Sequence, residues 1–288
     1  MATGSWDSEI ERYKAKTGVS RLMQQKAQRF LPGGSSRGTA FFDPYPVFVE
    51  RGEGHHLYDV DGNKYIDFMI NATSLIMGHA HPELVRVIQG QIAKGTAYGG
   101  PTESQIRLAE ILSERIPSVE TIRFTNSGTE STMMAIRAAR AFTGRHKIAK
   151  FEGGYHGSHE YVSVSVAPPA DKLNNDELIA IPDHPGQPPG VIEDVIVLPF
   201  NDLEQSERKI REDASQLACV IMEPISSRFG YAPAELHFLE GIRSVTEELG
   251  IVLIFDEVQS FRVAPGGAQQ LFNVIPDMTT LGLSLIHI

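Results

Sequence analysis

Along this chain, short apolar runs alternate with longer amphipathic stretches, and the two periods separate strands from helices. The clearest run is Ile251–Val258, Ile-Val-Leu-Ile-Phe-Asp-Glu-Val. Five apolar residues, mostly β-branched, end in two carboxylates. That pattern predicts a strand buried on both faces of a parallel sheet, with its polar residues at the carboxyl end. Thr121–Phe124, Lys147–Phe151, Val195–Leu198 and Ala218–Met222 repeat the strand signal. Glu130–Thr143, Leu203–Arg211 and Phe238–Leu249 read as the helices between them, with Gly144 and Gly250 as stops. Strands and helices in alternation imply an α/β fold with a mostly parallel sheet and helices on both faces.

The first third reads differently. Ser8–Leu31 is helical, with Gly18 as a break, and Leu31–Gly38 is a glycine-rich loop. Arg37 in that loop is either an exposed charge or a carboxylate clamp, since its planar fork matches a carboxylate bidentately. Val47–Gly52, His56–Asp59 and Lys64–Phe68 read as short strands, with a hairpin turn at Asp61-Gly62. Asp59–Asn63 lacks the glutamate that would complete a calcium loop, so the turn reading holds. His79 and His81 have no further ligand at a convincing spacing, so no metal site is expected there. Pro82–Ile92 and Thr102–Arg115 are amphipathic helices.

Composition narrows the partners. The 288 residues carry a net charge of −10 and no long Lys/Arg block, which argues against nucleic acid. No apolar stretch approaches the ~20 residues that span a bilayer, and the amino terminus has no signal-peptide core. The single cysteine, Cys219, lies in an apolar run, as a reduced thiol in a cytoplasmic protein would.

Four predicted strand ends carry polar groups: Asn126–Thr129, Tyr155-His156, Glu223 and Asp256. In a doubly wound sheet these ends share one rim, where ligands bind. Ser127-Gly128-Thr129 opens a helix, so it is an anion cradle, a plain N-cap, or both. Tyr155 could stack on an aromatic ring or pack its loop. His156 could carry a proton or be a hydrogen-bonded structural residue. Asp256 facing a pyridine nitrogen would keep it protonated, which pyridoxal chemistry requires. Val258, two residues on, returns to the same side and could press on a ring face. The Pro- and Asp-rich stretch 158–189 has the length of a lid or binding loop. No Gly-x-x-x-x-Gly-Lys loop is present, which sets aside a nucleotide hydrolase.

Leu57–Asp67, Gly78–Glu83, Asn126–Glu130, Phe151–Gly157, Glu223-Pro224, Phe255–Val258 and Pro276–Gly282 together resemble the class III aminotransferases of the fold-type I pyridoxal phosphate enzymes. Glutamate-1-semialdehyde aminomutases and β-amino-acid aminotransferases are the most similar members. The resemblance implies pyridoxal 5'-phosphate as cofactor, with its phosphate on Ser127, Gly128 and Thr129. It implies Tyr155 and Val258 on the two ring faces, Asp256 on the ring nitrogen and Glu223 as a supporting acid. Arg37 matches a carboxylate-gripping arginine of the β-amino-acid enzymes. No tryptophan stands near Ile70–Ser74, where the aminomutases have one, so amino transfer is the preferred reading. The aminomutase reaction and a non-catalytic binding protein are the alternatives. Small-molecule amino donors and acceptors, and a homodimer for the full-length form, are also implied.

The family's Schiff-base lysine would follow Leu281-Gly282, and Leu283 stands there. The expectation is therefore a fragment with no catalytic residue of its own. Residues 1–75 would be an arm and part of a small domain, and 76–282 an incomplete cofactor-binding large domain. Residues 283–288 would be an aberrant tail, with the C-terminal small domain absent.

Overall fold

The structure is a computed structural model that describes residues 6–36, 41–169, 178–228 and 230–282. The chain divides into two compact units, Met1–Ala97 and Tyr98–Ile288.

In the first unit, helices α1 (Trp6–Lys16) and α2 (Gly18–Ala27) meet at Thr17. The break falls where the sequence put a glycine, but the capping group comes from a distance. Asp61 accepts from the N–H groups of Val19 (2.6 Å) and Ser20 (2.9 Å), satisfying the first turn of α2. Strands β1 (Val49–Glu53), β2 (His56–Asp59) and β3 (Lys64–Ile66) form an antiparallel sheet. The β2–β3 turn uses Gly62 at φ 85°. Asp59 accepts there from the N–H of Asn63 (2.7 Å) and the hydroxyl of Tyr65 (2.7 Å), so its carboxylate serves the turn. A short helical turn, α3 (Ile70–Thr73), holds all four residues at positive φ, a costly conformation for side chains other than glycine. His79 Nε2 lies 2.7 Å from Asp67 Oδ2, and α4 (Pro82–Ile92) follows with proline in its first turn.

The second unit begins with α5 (Glu103–Arg115) and α6 (Gly128–Thr143). Then come β4 (Lys147–Phe151), α7 (Pro189–Glu193), β5 (Val195–Leu198), α8 (Leu203–Glu212) and β6 (Leu217–Met222). A two-stranded ribbon of β7 (Ile225–Ser226) and β8 (Ala232–Pro233) precedes α9 (Leu236–Glu248), β9 (Val252–Asp256), α10 (Gly267–Phe272) and β10 (Met278–Thr280). The main sheet has the order β10-β9-β6-β4-β5, and every pairing is parallel. This is the doubly wound α/β architecture that the alternating pattern predicts.

Because side chains alternate along a strand, each central strand feeds two cores. Val220, Met222, Leu253 and Phe255 pack with Phe238, Leu239 and Ile242 of α9. Cys219, Ile221 and Ile254 pack on the other face with Ala135, Ile136 and Ala139 of α6. Gly144 (φ 69°) and Gly250 (φ 61°) end α6 and α9 in the left-handed conformation, as expected.

One strand expectation fails. Thr121–Phe124 forms no strand, and β10 stands at the end of the sheet. A strand exists only through its pairing, and this segment has no ladder partner among the described residues.

Candidate active site

The carboxyl ends of β4, β6, β9 and β10 converge on one rim. Asp256 closes β9 and is 4% exposed. Its Oδ1 accepts from the Thr280 hydroxyl and from the N–H of Val258, both at 3.1 Å. Its Oδ2 lies 2.8 Å from Nδ1 of His156, itself buried after β4. Three groups from three segments thus fix one carboxylate. His156 Nε2, on the far side of the ring, is buried with no partner among the described residues.

The anion turn sits in the same layer. Ser127 is the N-cap of α6, its hydroxyl accepting from the N–H of Glu130 at 3.1 Å. Glu130 reaches back to the N–H of Asn126 at 2.7 Å, a variant of the reciprocal capping box. The N–H groups of Gly128 and Thr129 then begin the helix without intrahelical acceptors. Their dipoles favour a negative group just outside. Thr129 Oγ1 accepts from the N–H of Ser158 at 3.2 Å, and Thr132 donates to the carbonyl of His156 at 2.6 Å. These bonds clamp the helix start to the loop bearing Tyr155 and His156.

Val258 joins the two halves. A methyl added at Gly128 would lie 3.4 Å from Val258 Cγ2, and one at Gly282 would lie 3.2 Å from it. Glycine at both positions lets the turn, the valine and the end of β10 close up.

Glu223, at the end of β6, accepts from the N–H of Tyr155 at 3.2 Å and of Ser227 at 3.4 Å. Burial holds its pKa above the usual carboxylate range, the charge of His156 opposes this, and Asp256 adds to it. Tyr155 itself remains 44% exposed. The structure therefore brings Ser127, Gly128, Thr129, Tyr155, Glu223, Asp256 and Val258 onto one rim. Arg37 and Leu283 lie outside the described residues.

Three groups were missed or left open by sequence reasoning. His156 is the direct partner of Asp256, a long-range contact that no local pattern reports. Thr280 is a second partner, signalled only by its place in the motif Thr279-Thr280-Leu281-Gly282. Lys150 is fully buried mid-strand in β4, donating to the carbonyls of Val164 (2.6 Å) and Phe151 (3.2 Å). Burial pushes its pKa down to about 8, against the pull of Asp183, Glu223 and Glu152. A lysine inside the apolar run Lys147–Phe151 was the available signal.

Among the described residues no group of three or more potential ligands could hold a metal ion, and no helix is long and apolar enough to cross a membrane. The chain is 46% identical over 264 residues to a glutamate-1-semialdehyde 2,1-aminomutase from Methanobrevibacter smithii, covering 91% of this chain and 60% of that protein. It superposes on an omega-transaminase from Sphaerobacter thermophilus with a TM-score of 0.90 at 45% identity, covering 93% of this chain and 62% of the other. A transaminase structure with pyridoxal phosphate bound gives a TM-score of 0.87 at 43% identity, covering 92% and 61%. The chain thus spans about 60% of the length of the relatives it matches. The match to the class-III aminotransferase family runs over residues 40–286, and the chain belongs to that family.

Proposed function

We propose that the complete protein is a pyridoxal-phosphate-dependent aminotransferase, moving an amino group from an amino acid or amine to a keto acid or aldehyde. The observation that carries this reading is the approach of Val258 to Gly128, which joins an anion-binding helix start to the strand end that bears Asp256. A ligand with a phosphate at one end and a ring nitrogen at the other needs both features within its own length.

The residues fit that group. The helix start at Gly128 lies against Val258, Asp256 is preoriented by three partners, and His156 Nε2 is a polar atom with no partner among the described residues. Ser127, Gly128 and Thr129 would hold the phosphate, and Tyr155 and Val258 would take the ring faces. Asp256 would hold a proton on the ring nitrogen, with Glu223 as a second acid nearby. When bound, the cofactor supplies an electron sink for cleavage at the amine-bearing carbon. The protein contributes orientation and a dry, preset charge beside the ring.

In the same reading, Arg37 grips a substrate carboxylate and the active form is a cytoplasmic homodimer. Residues 1–75 belong to an arm and small domain, and 76–282 to the cofactor domain. Leu283 replaces the covalent lysine, so the chain as given holds its cofactor by non-covalent contacts alone and lacks turnover. A second reading, intramolecular transfer, is favoured by the identity to the aminomutase. It would be separated by product forming from an amino aldehyde with no added acceptor.

The test is to introduce an amine by Leu283→Lys, add pyridoxal phosphate, reduce with borohydride and map the adduct by mass spectrometry. The expected result is an adduct concentrated at the introduced amine and lost in the double variant with Asp256→Ala. Adducts spread equally over surface lysines in both proteins would contradict the proposal.

A further inference from the structure

Asp256 offers its two oxygens unequally. A carboxylate accepts hydrogen bonds at about four lone-pair positions, shared evenly between its oxygens. Oδ1 takes two donors, the N–H of Val258 and the Thr280 hydroxyl, both at 3.1 Å. Oδ2 has one partner, Nδ1 of His156 at 2.8 Å. Among the described residues, the open accepting position of this buried side chain is therefore on Oδ2.

Thr280 is held in place without help from Asp256. The parallel register sets it opposite Asp256, with Met278 against Ile254 and Thr279 against Phe255. Its carbonyl accepts from the N–H of Glu257 at 2.9 Å. Its neighbour Thr279 points to the other side of the strand, where its Oγ1 lies 2.7 Å from Ser118 Oγ and accepts from the Gln269 amide at 3.0 Å. That amide also donates to Glu257 at 2.9 Å, and its oxygen accepts from the N–H of Ser118 at 2.9 Å. The strand end is thus fixed by partners on its far side, and the Thr280 hydroxyl, 2% exposed, is imposed on the carboxylate rather than following it.

We propose that Thr280 is a positioning residue: by filling Oδ1 together with the N–H of Val258, it turns Asp256 so that Oδ2 receives the ring nitrogen of the cofactor. The proposal rests on the reading of this rim as a pyridoxal phosphate site. His156 holds Oδ2 from one side and leaves its second position to the ring N–H. A methyl in place of the hydroxyl would leave a buried accepting position on Oδ1 unmet and free the carboxylate to turn.

The test compares two ligands on the 288-residue chain, pyridoxamine 5'-phosphate and its analogue with carbon in place of the ring nitrogen. Both are titrated by calorimetry into the unaltered chain, Thr280→Val and Thr280→Ser. Thr280→Val should weaken pyridoxamine phosphate about fivefold, the worth of one hydrogen bond, and the analogue by less than about twofold. Thr280→Ala should show the same split, and Thr280→Ser, which keeps the donor, should stay within about twofold of the unaltered chain for both ligands. A merely structural role predicts equal losses for the two ligands. Equal losses in both the valine and alanine variants, or undiminished pyridoxamine phosphate binding in them, would overturn the proposal. Absence of saturable binding of either ligand to the unaltered chain would overturn the underlying pyridoxal reading, and the proposal with it.

Discussion

The carboxyl ends of β6 and β9 and the outer edge of β10 belong to one sheet yet are finished in opposite ways. At the centre, polar groups are met by protein partners. Glu257, fully buried, accepts from the N–H groups of Ala268 and Gln269, the Gln269 side-chain amide and the Ser260 hydroxyl. Asp256 beside it is held by three groups but keeps its position on the rim. Two adjacent carboxylates thus have different work, one bracing the loop to α10 and the other facing the site. At the edge, β10 pairs only with β9 and Thr121–Thr125 has no ladder partner among the described residues. The contrast teaches that the site's rigidity comes from the centre of the sheet, to which the anion turn is clamped through Ser158 and His156, and that the outer edge contributes less.

Breaking the centre should therefore cost far more than altering the edge. Glu257→Ala leaves its buried donors unpaired and should lower stability by about 3–5 kcal/mol in urea unfolding. Lys150 gives a pH test. Burial takes its pKa from 10.5 to about 8, so between those values the unfolded chain binds more protons than the folded one. Its contribution works fully against folding below about 8 and vanishes above 10.5, so that contribution rises across the window by about 3 kcal/mol, while the buried Cys219 thiol, raised to about 12, contributes the opposite slope above 9. The stability difference between the unaltered chain and Lys150→Met, measured in urea melts across the window, should therefore shift in favour of the unaltered chain by about 3 kcal/mol as pH rises. Ser127→Ala removes the cap of α6 and should cost about 1 kcal/mol by thermal unfolding. Arg123→Ala, on the exposed face of the edge segment, should stay within about 0.5 kcal/mol. If it matched the loss at Glu257, the contrast between centre and edge would collapse.

The sequence made some of this legible for a physical reason. Ile251–Asp256 announces its strand because burial on both faces demands an unbroken apolar run. The helix caps at Ser127, Gly144 and Gly250 are likewise local chemistry. Thr121–Phe124 shows the limit, since strand propensity cannot supply the neighbour a strand needs. Lys150 and the pairing of His156 with Asp256 were hidden because each is settled by segments distant in the chain. The rim could be foreseen from topology, but the orientation of its side chains could not.

The most direct test of the central claim is a titration with pyridoxamine 5'-phosphate, followed by the ligand's fluorescence. This form of the cofactor is an amine and cannot condense with surface lysines, so saturation reports the rim alone. One site per chain is expected, with affinity falling about thirtyfold in Asp256→Asn, the loss of about 2 kcal/mol for a charge-assisted hydrogen bond. Absence of saturable binding, or equal affinity in Asp256→Asn, would contradict the account.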